Sequence, residues 1–307
     1  MSSMSLRPCG DYRTSYAKDT TIFPTKWSRN FAILGLVLAA LFPLIASQYH
    51  MNLAITIAIY GIAALGLNIL VGFTGQISLG HAAFFGFGAF SSAFLNNTYG
   101  VPVVLAIPLA GLMTTAVGLI VGIPAARIKG LYLAIATLAS QFILQDFFSR
   151  ADFFTGGSAG ALAQSFSLFG WEAYGEHNFY YVALVFMVIC FLLATNMLRS
   201  RDGRAFVAVR DHYLSAEVMG VNLTKYRLMS FGVSSFYAGI AGALYGHYLG
   251  FVSVESFTIL LSIQFLGMII IGGLGSVMGT LMGTAFMVLL PEVLEGVVSA
   301  MHGAGLI

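Results

Sequence analysis

Met51-Asn-Leu-Ala-Ile-Thr-Ile-Ala-Ile-Tyr-Gly-Ile-Ala-Ala-Leu-Gly-Leu-Asn-Ile-Leu-Val71 runs for 21 residues without a charged side chain. A helix needs about 20 apolar residues to cross a bilayer core, so the stretch reads as a transmembrane span. Eight comparable runs flank it, at roughly 31–47, 79–95, 101–123, 131–148, 179–198, 228–249, 258–273 and 276–294. The predicted fold is therefore all-α, a polytopic transmembrane helix bundle of about nine spans. It is organised as a tail over 1–30 and one membrane domain over 31–307.

The composition agrees with this reading. Of 307 residues, 58% are hydrophobic and 8% charged, against about 25% charged in a soluble domain. A water-facing surface cannot be built from so few charges, and lipid is the expected surrounding. The formal net charge of +2 is too small and dispersed for a nucleic-acid footprint, so no nucleic-acid partner is expected. Cys9 and Cys190 are too far apart in sequence to suggest a metal or disulfide framework. The mixed tail with Arg7, Asp11, Arg13, Lys18, Asp19, Lys26 and Arg29 is too long and polar for a cleaved signal.

Charge placement predicts orientation. With the N-terminus in the cytoplasm, the tail, Arg127 and Lys129 fall inside, as do Arg199, Arg201, Arg204, Arg210, Lys225 and Arg227. Only Arg150 falls outside, so 13 of 14 basic residues share one side, as the positive-inside rule requires. Nine spans then leave the segment from Glu292 to Ile307 on the outer face without a basic anchor, which leads us to expect one further span. Two connections are long: an outer loop over 149–178, holding Glu172, Glu176 and His177, and an inner segment over 199–227.

The spans exclude several chemistries. Ionisable groups inside a membrane are costly and mark ion-driven transport, yet here only Asp146, Glu292, His81 and His247 approach the spans. A packed, hydrogen-bonded imidazole is the expected state of both histidines. No intramembrane catalytic set or metal-ligand spacing occurs, so neither an enzyme nor a metal site is expected. The phosphate-cradling Gly-x-x-x-x-Gly-Lys-Ser/Thr loop is also missing, so ATP would have to be bound by another polypeptide. The 35 glycines, with Gly86, Gly88, Gly239, Gly242 and Gly246 at helical spacing, read as close helix packing.

The inner stretch from Gly203 to Asn222 places Phe206, Val209, Tyr213, Leu214, Val218 and Val221 at intervals of three to four. That pattern predicts a helical stripe, which can dock into a partner's groove or lie on the lipid surface. Gly203-Arg-Ala-Phe, Val209-Arg-Asp, Ser215-Ala-Glu-Val-Met-Gly-Val-Asn222 and Lys225-Tyr-Arg together resemble the cytoplasmic signature of branched-chain amino-acid ABC importer permeases, in their M-type subunit. Three further blocks agree and come in family order over about 70–280. They are Gly72-Phe-Thr-Gly-Gln-Ile-Ser-Leu-Gly-His-Ala-Ala-Phe84, Thr155-Gly-Gly-Ser158 and Gly272-Gly-Leu-Gly-Ser276.

The resemblance implies a permease subunit of an ATP-driven importer in a bacterial or archaeal cytoplasmic (inner) membrane. Its expected substrates are branched-chain or other hydrophobic amino acids. Urea, amides or small carboxylates are the alternatives within the family, and a self-sufficient channel or secondary carrier is the alternative outside it. The implied partners are a second, H-type permease, two cytoplasmic ATPases and a periplasmic substrate-binding protein. This chain would bind no cofactor, with ATP and Mg on the ATPases. Residues 203–222 would hold the coupling helix, with Arg204, Arg210, Asp211 and Glu217 engaging an ATPase and Gly220 ending the helix. Gln76, Ser78, His81, Gly272, Gly273 and Gly275 would border the translocation route. The chain departs from the family at Ala159, Ala161 and Gln264, and lacks the last of ten family spans.

Overall fold

The computed structural model describes residues 26–128, 130–168, 171, 172 and 175–303. Arg7, Cys9, Asp11, Arg13, Lys18, Asp19 and Lys129 lie outside the described residues, as does most of the 1–30 tail. The chain divides into two compact units, Met1–Ile45 and Ala46–Ile307. In the first, the described part is helix α1 (Lys26–Leu41), continued by a 3-10 turn over Phe42–Leu44.

The second unit is a bundle of α2 (Gln48–Asn68), α3 (His81–Tyr99), α4 (Val103–Ala125), α5 (Leu131–Arg150), α6 (Glu176–Arg199), α7 (Arg201–Val218), α8 (Leu223–Leu249), α9 (Ile259–Gly272) and α10 (Val277–Gly303). Each expected hydrophobic run forms a helix, but seven helices among the described residues are long and apolar enough to cross a membrane. The two that fall short do so for different reasons. The apolar part of the first, Ala32–Leu44, is too short, while α3 carries His81 at one end and Asn96, Asn97 and Thr98 at the other.

Helices α2, α3 and α8 form the buried centre. Gly88 of α3 faces Gly239 of α8, and Gly242 faces the Phe85 carbonyl so closely that a Cβ at either position would collide with backbone. Gly118 of α4 likewise fits against Ser235. Close glycine packing is how helices associate where lipid removes the hydrophobic incentive, so these glycines have the packing role expected of them. Phe85 also packs against Tyr245, Phe257 and Phe265 at centroid distances of 5.3, 5.9 and 5.5 Å. The outer surface is apolar instead: Leu112, Ile120, Ile143, Leu260 and Met282 are exposed. Greasy outside and tightly packed inside is the arrangement of a protein in lipid.

The two long connections are structured. In the 149–178 loop, Ala161–Leu162 pairs antiparallel with Phe251–Val252, and Ser167–Leu168 pairs with Trp171–Glu172. The inner segment forms α7, but its predicted continuous stripe is corrected by a break at His212, whose φ of −155° and ψ of 82° are not helical. Phe206 and Val209 before the break are buried, whereas Leu214 and Val218 after it are exposed. The two halves therefore present their apolar residues to different surroundings.

Candidate coupling and transport site

Three of the sequence blocks converge at one end of the second unit. Helix α2 finishes in a π turn over Ile69–Phe73. The last carbonyls of a helix lack intrahelical partners, and the Gly72 carbonyl accepts a 2.7 Å hydrogen bond from Arg210 Nη1 of α7. Arg210 Nε donates to Asp211 Oδ1 at 2.8 Å. The Arg210 side chain lies between two glycine turns: a Cβ on Gly75 would meet its Cγ at 3.0 Å, and one on Gly275 would meet Nη1 at 3.1 Å. Both glycines have positive φ, 70° and 79°, which side-chain-bearing residues rarely adopt.

Asn68 joins the same ends from below. Its Oδ1 accepts from the Gly275 N–H at 3.0 Å, and its Nδ2 donates to Ser276 O at 3.0 Å and Thr280 Oγ1 at 2.8 Å. Asn68 was not among the residues singled out from sequence. Its signal was present: it is an amide inside an otherwise apolar span, where polar side chains commonly bond between helices.

Gln76 is 4% exposed. Its Nε2 donates to Ser230 Oγ at 2.7 Å and to the Arg227 carbonyl at 3.3 Å, while its Oε1 has no partner. It lines a cavity of about 190 Å3 with Thr74, Gly75, Leu133, Arg210 and Arg227. Ser78 and His81 are each 1% exposed. Ser78 Oγ accepts weakly from Gly80 N–H at 3.4 Å. His81 Nε2 lies 2.8 Å from Ala63 O, and because a carbonyl can only accept, that nitrogen carries the proton. The ring meets Phe265 edge-on at 5.7 Å, the packed state expected of it.

His247 is also packed. Its Nδ1 donates to the Gln164 carbonyl at 2.6 Å, and its Nε2 lies 2.7 Å from Ser92 Oγ.

Not every predicted position joins the convergence. Arg204 bonds to the Arg199 carbonyl at 3.2 Å near the start of α7, and Glu217 is exposed near its end. Gly220, at φ 88°, closes that end: its N–H donates to Glu217 O, and Val221 N–H donates to Ala216 O, each at 2.9 Å. This is the glycine stop expected. Gly272 faces Gly279 and Gly283 and lets α9 and α10 pack as a tight hairpin, and Gly273 has φ 99°. The fourth block lies elsewhere, at the far end of α5, where Thr155 Oγ1 donates to Phe148 O at 2.6 Å and accepts from Gly157 N–H at 3.1 Å. Among the described residues, no cluster of His, Cys, Asp or Glu could hold a metal ion.

The geometry is that of an inter-helix joint: a charged side chain from a surface segment is seated on backbone at the ends of spanning helices. Comparisons with known proteins place the chain in a family. Residues 49–304 match the family described as branched-chain amino acid transport system / permease component. The high-affinity branched-chain amino acid transport system permease proteins LivM of Salmonella typhimurium and Escherichia coli are each 32% identical over 291 residues, covering 86% of this chain and 68% of theirs. A probable branched-chain amino acid transport permease protein LivM of Methanocaldococcus jannaschii is 27% identical over 195 residues, covering 62% of this chain and 56% of its own. No solved structure matches the chain significantly. On the length of the family match and the identity to these relatives, the chain belongs to the family of branched-chain amino acid transport permease components.

Proposed function

We propose that this chain is a permease subunit of an ATP-driven (ABC) importer for branched-chain or other hydrophobic amino acids. It works in a bacterial or archaeal inner membrane beside an H-type permease, two cytoplasmic ATPases and a periplasmic binding protein. The observation that carries the reading is the seating of Arg210 between the Gly75 and Gly275 turns, bonded to Gly72 O at 2.7 Å. ATP binding and hydrolysis move the ATPases between two states. A partner gripping the exposed half of α7 at Leu214, Glu217 and Val218 would pull on Arg210, and through it on the ends of α2, α9 and α10. A ligand-driven shift between states needs such a differential contact. Arg204, Arg210, Asp211 and Glu217 form the coupling set, with Gly220 fixing the end of its helix.

Gln76, Ser78 and His81, with the Gly272–Gly275 turn, would border the route opened by that movement.

The topology belongs to the same proposal: nine spans with a cytoplasmic N-terminus. Support comes from two groupings. Residues 72–76, 210 and 275 meet at one end, while Ala161 pairs with Val252 and Asn97 donates to Leu162 O at 2.7 Å at the other. Helix α3 runs between the two groups, which supports its crossing despite its polar ends.

Reconstitution of this chain with its H-type partner, ATPases and binding protein tests the reading. Leucine uptake should require ATP and all partners. Replacing Arg210 and Asp211 together by Ala should cut uptake per ATP hydrolysed by about tenfold, since a bond to a charged group contributes ~1.5–3 kcal/mol. ATP-independent uptake by this chain alone would instead identify a self-sufficient channel or carrier.

A further inference from the structure

The cavity lined by Arg210 and Arg227 sits where three spans have their ends: α2 at its π turn, α5 at Leu131 and α8 at Leu223. Its depth is therefore that of lipid headgroups rather than of acyl chains. Its volume of about 190 Å3 falls below the roughly 300–1,000 Å3 of a small-molecule site. It admits a small chemical group, not a whole solute.

The charges around it are unbalanced. Two guanidinium groups line the cavity, and among the described residues no Asp or Glu does. Arg210 has Asp211 on its Nε and the Gly72 carbonyl on its Nη1. Arg227, half-buried, donates from Nη1 to the Ala126 carbonyl at 3.2 Å, and its guanidinium carbon stands 5.9 Å from the centre of the Tyr213 ring. Neither of these neighbours carries a negative charge, so among the described residues Arg227 has no counter-ion. A cation withdrawn from water calls for one. Arginine is suited to phosphate, which it grips through two parallel N–H bonds, and basic pockets between spans at a membrane face bind anionic headgroups.

The rim indicates what carries that phosphate. Gly130 and Leu133 belong to the wall, and beside them in α5 Leu131, Tyr132 and Ile135 are 73, 76 and 54% exposed. They open an apolar face that continues along the span through the exposed Phe142 and Ile143. A phosphate in the cavity would lead its acyl chains onto this face. An ethanolamine headgroup would also bring an ammonium for which the lining holds no carboxylate, whereas a glycerol headgroup brings none.

We propose that the cavity holds the phosphate of an anionic phospholipid, phosphatidylglycerol being the simplest, on Arg210 and Arg227, with its chains along Leu131 and Ile135. The proposal goes beyond the transport reading and does not depend on it. A lipid seated there ties α7 to α8 beside the Gly75 turn, and so becomes part of the joint around Arg210.

The test uses the purified full chain, stripped of lipid in a neutral detergent and titrated with phosphatidylglycerol, phosphatidylethanolamine or inorganic phosphate. Native mass spectrometry reads the lipid retained. Phosphatidylglycerol should be held at least about tenfold more tightly than phosphatidylethanolamine, and inorganic phosphate should not displace it. Arg227→Gln should lose that preference with an unchanged thermal midpoint in the absence of added lipid, and Arg227→Lys should keep part of it. Equal retention of the two lipids by the unaltered chain, or a preference that survives Arg227→Gln, overturns the proposal. Displacement by inorganic phosphate overturns the lipid as the occupant.

A phosphatidylglycerol carrying a diazirine in its acyl chain, photolysed on the unaltered chain in phosphatidylcholine nanodiscs, supplies evidence independent of any variant. Crosslinks on the peptide holding Leu131, Tyr132 and Ile135 that excess unlabelled phosphatidylglycerol removes, and excess phosphatidylcholine does not, support the site. Crosslinks that both lipids remove alike, or none on that peptide, overturn it.

Discussion

At the residue scale, Asn68 shows how one amide can hold three chain segments. Its three bonds, at 2.8 to 3.0 Å, tie α2 to the turn before α10. Replacing it with Ala leaves the Gly275 N–H without its partner, while the Ser276 carbonyl keeps its bonds from the Thr280 N–H and Oγ1. An orphaned group costs about 1–3 kcal/mol, so Asn68→Ala should lower stability by roughly 1–3 kcal/mol. Thermal unfolding in a fixed detergent would read this, and an unchanged midpoint would mean that the turn is held by glycine packing alone.

Gly72 belongs to the same joint. A Cβ there would collide with Asn68 Oδ1 and lie 2.5 Å from the Gly275 nitrogen. The sequence marked Gly72, Gly75 and Gly275 as parts of motifs, but not as walls of a slot for Arg210. Motifs record which residues occur together in order; the slot depends on contacts between positions such as 72, 210 and 275 that no local pattern links.

At the element scale, hydrophobic runs were legible because a helix in lipid must be apolar along its length. The run over 131–148 became α5 over Leu131–Arg150, with boundaries shifted by only two residues at the end. Helix α7 was less legible. Its residues repeat at helical spacing across the His212 break, so periodicity alone predicts one continuous stripe.

His212 Nδ1 explains how the second half begins: it accepts from the Ser215 N–H at 3.3 Å and lies 3.0 Å from Ser215 Oγ. This is the arrangement of an N-cap, whose loss costs about 1 kcal/mol. His212→Ala should therefore loosen the exposed half of α7 while leaving the bundle intact, and His212→Asn should preserve it. The expected outcome is a reduced uptake-to-hydrolysis ratio in the assembled transporter with normal thermal unfolding for the Ala variant, and near-normal coupling for the Asn variant.

Glycine packing makes a contrasting prediction for α3 and α8. Gly242→Val should force these helices apart and cost about 1–3 kcal/mol or more. Gly296→Ala, whose Cβ would meet nothing within 4 Å, should be neutral or slightly stabilising on the same measurement.

At the scale of the whole molecule, α3 decides the topology of everything after it. Its run over 79–95 reads as a span in the sequence, but its polar ends leave it outside the seven helices among the described residues that are apolar enough to cross by composition; most of it is buried, with 14 buried residues among its 19. A helix shielded by protein need not be greasy all round. Its polar N-terminus has partners within the bundle: Ala82 N–H donates to Ser262 Oγ and Ala83 N–H to Gln141 Oε1, each at 2.9 Å. At 1.5 Å per residue, 19 residues extend about 28 Å, close to the thickness of a hydrocarbon core.

The two ends of α3 can therefore be tested directly. In a background carrying Cys9→Ser, Cys190 is buried and contributes little labelling, so Ile77→Cys and Tyr99→Cys, at positions 43% and 68% exposed, report their own sides. A membrane-impermeant maleimide should label Tyr99→Cys in intact spheroplasts and Ile77→Cys only in inverted vesicles. Labelling of both from one side would mean that α3 turns back within the membrane, and the alternation of every later helix would have to be redrawn.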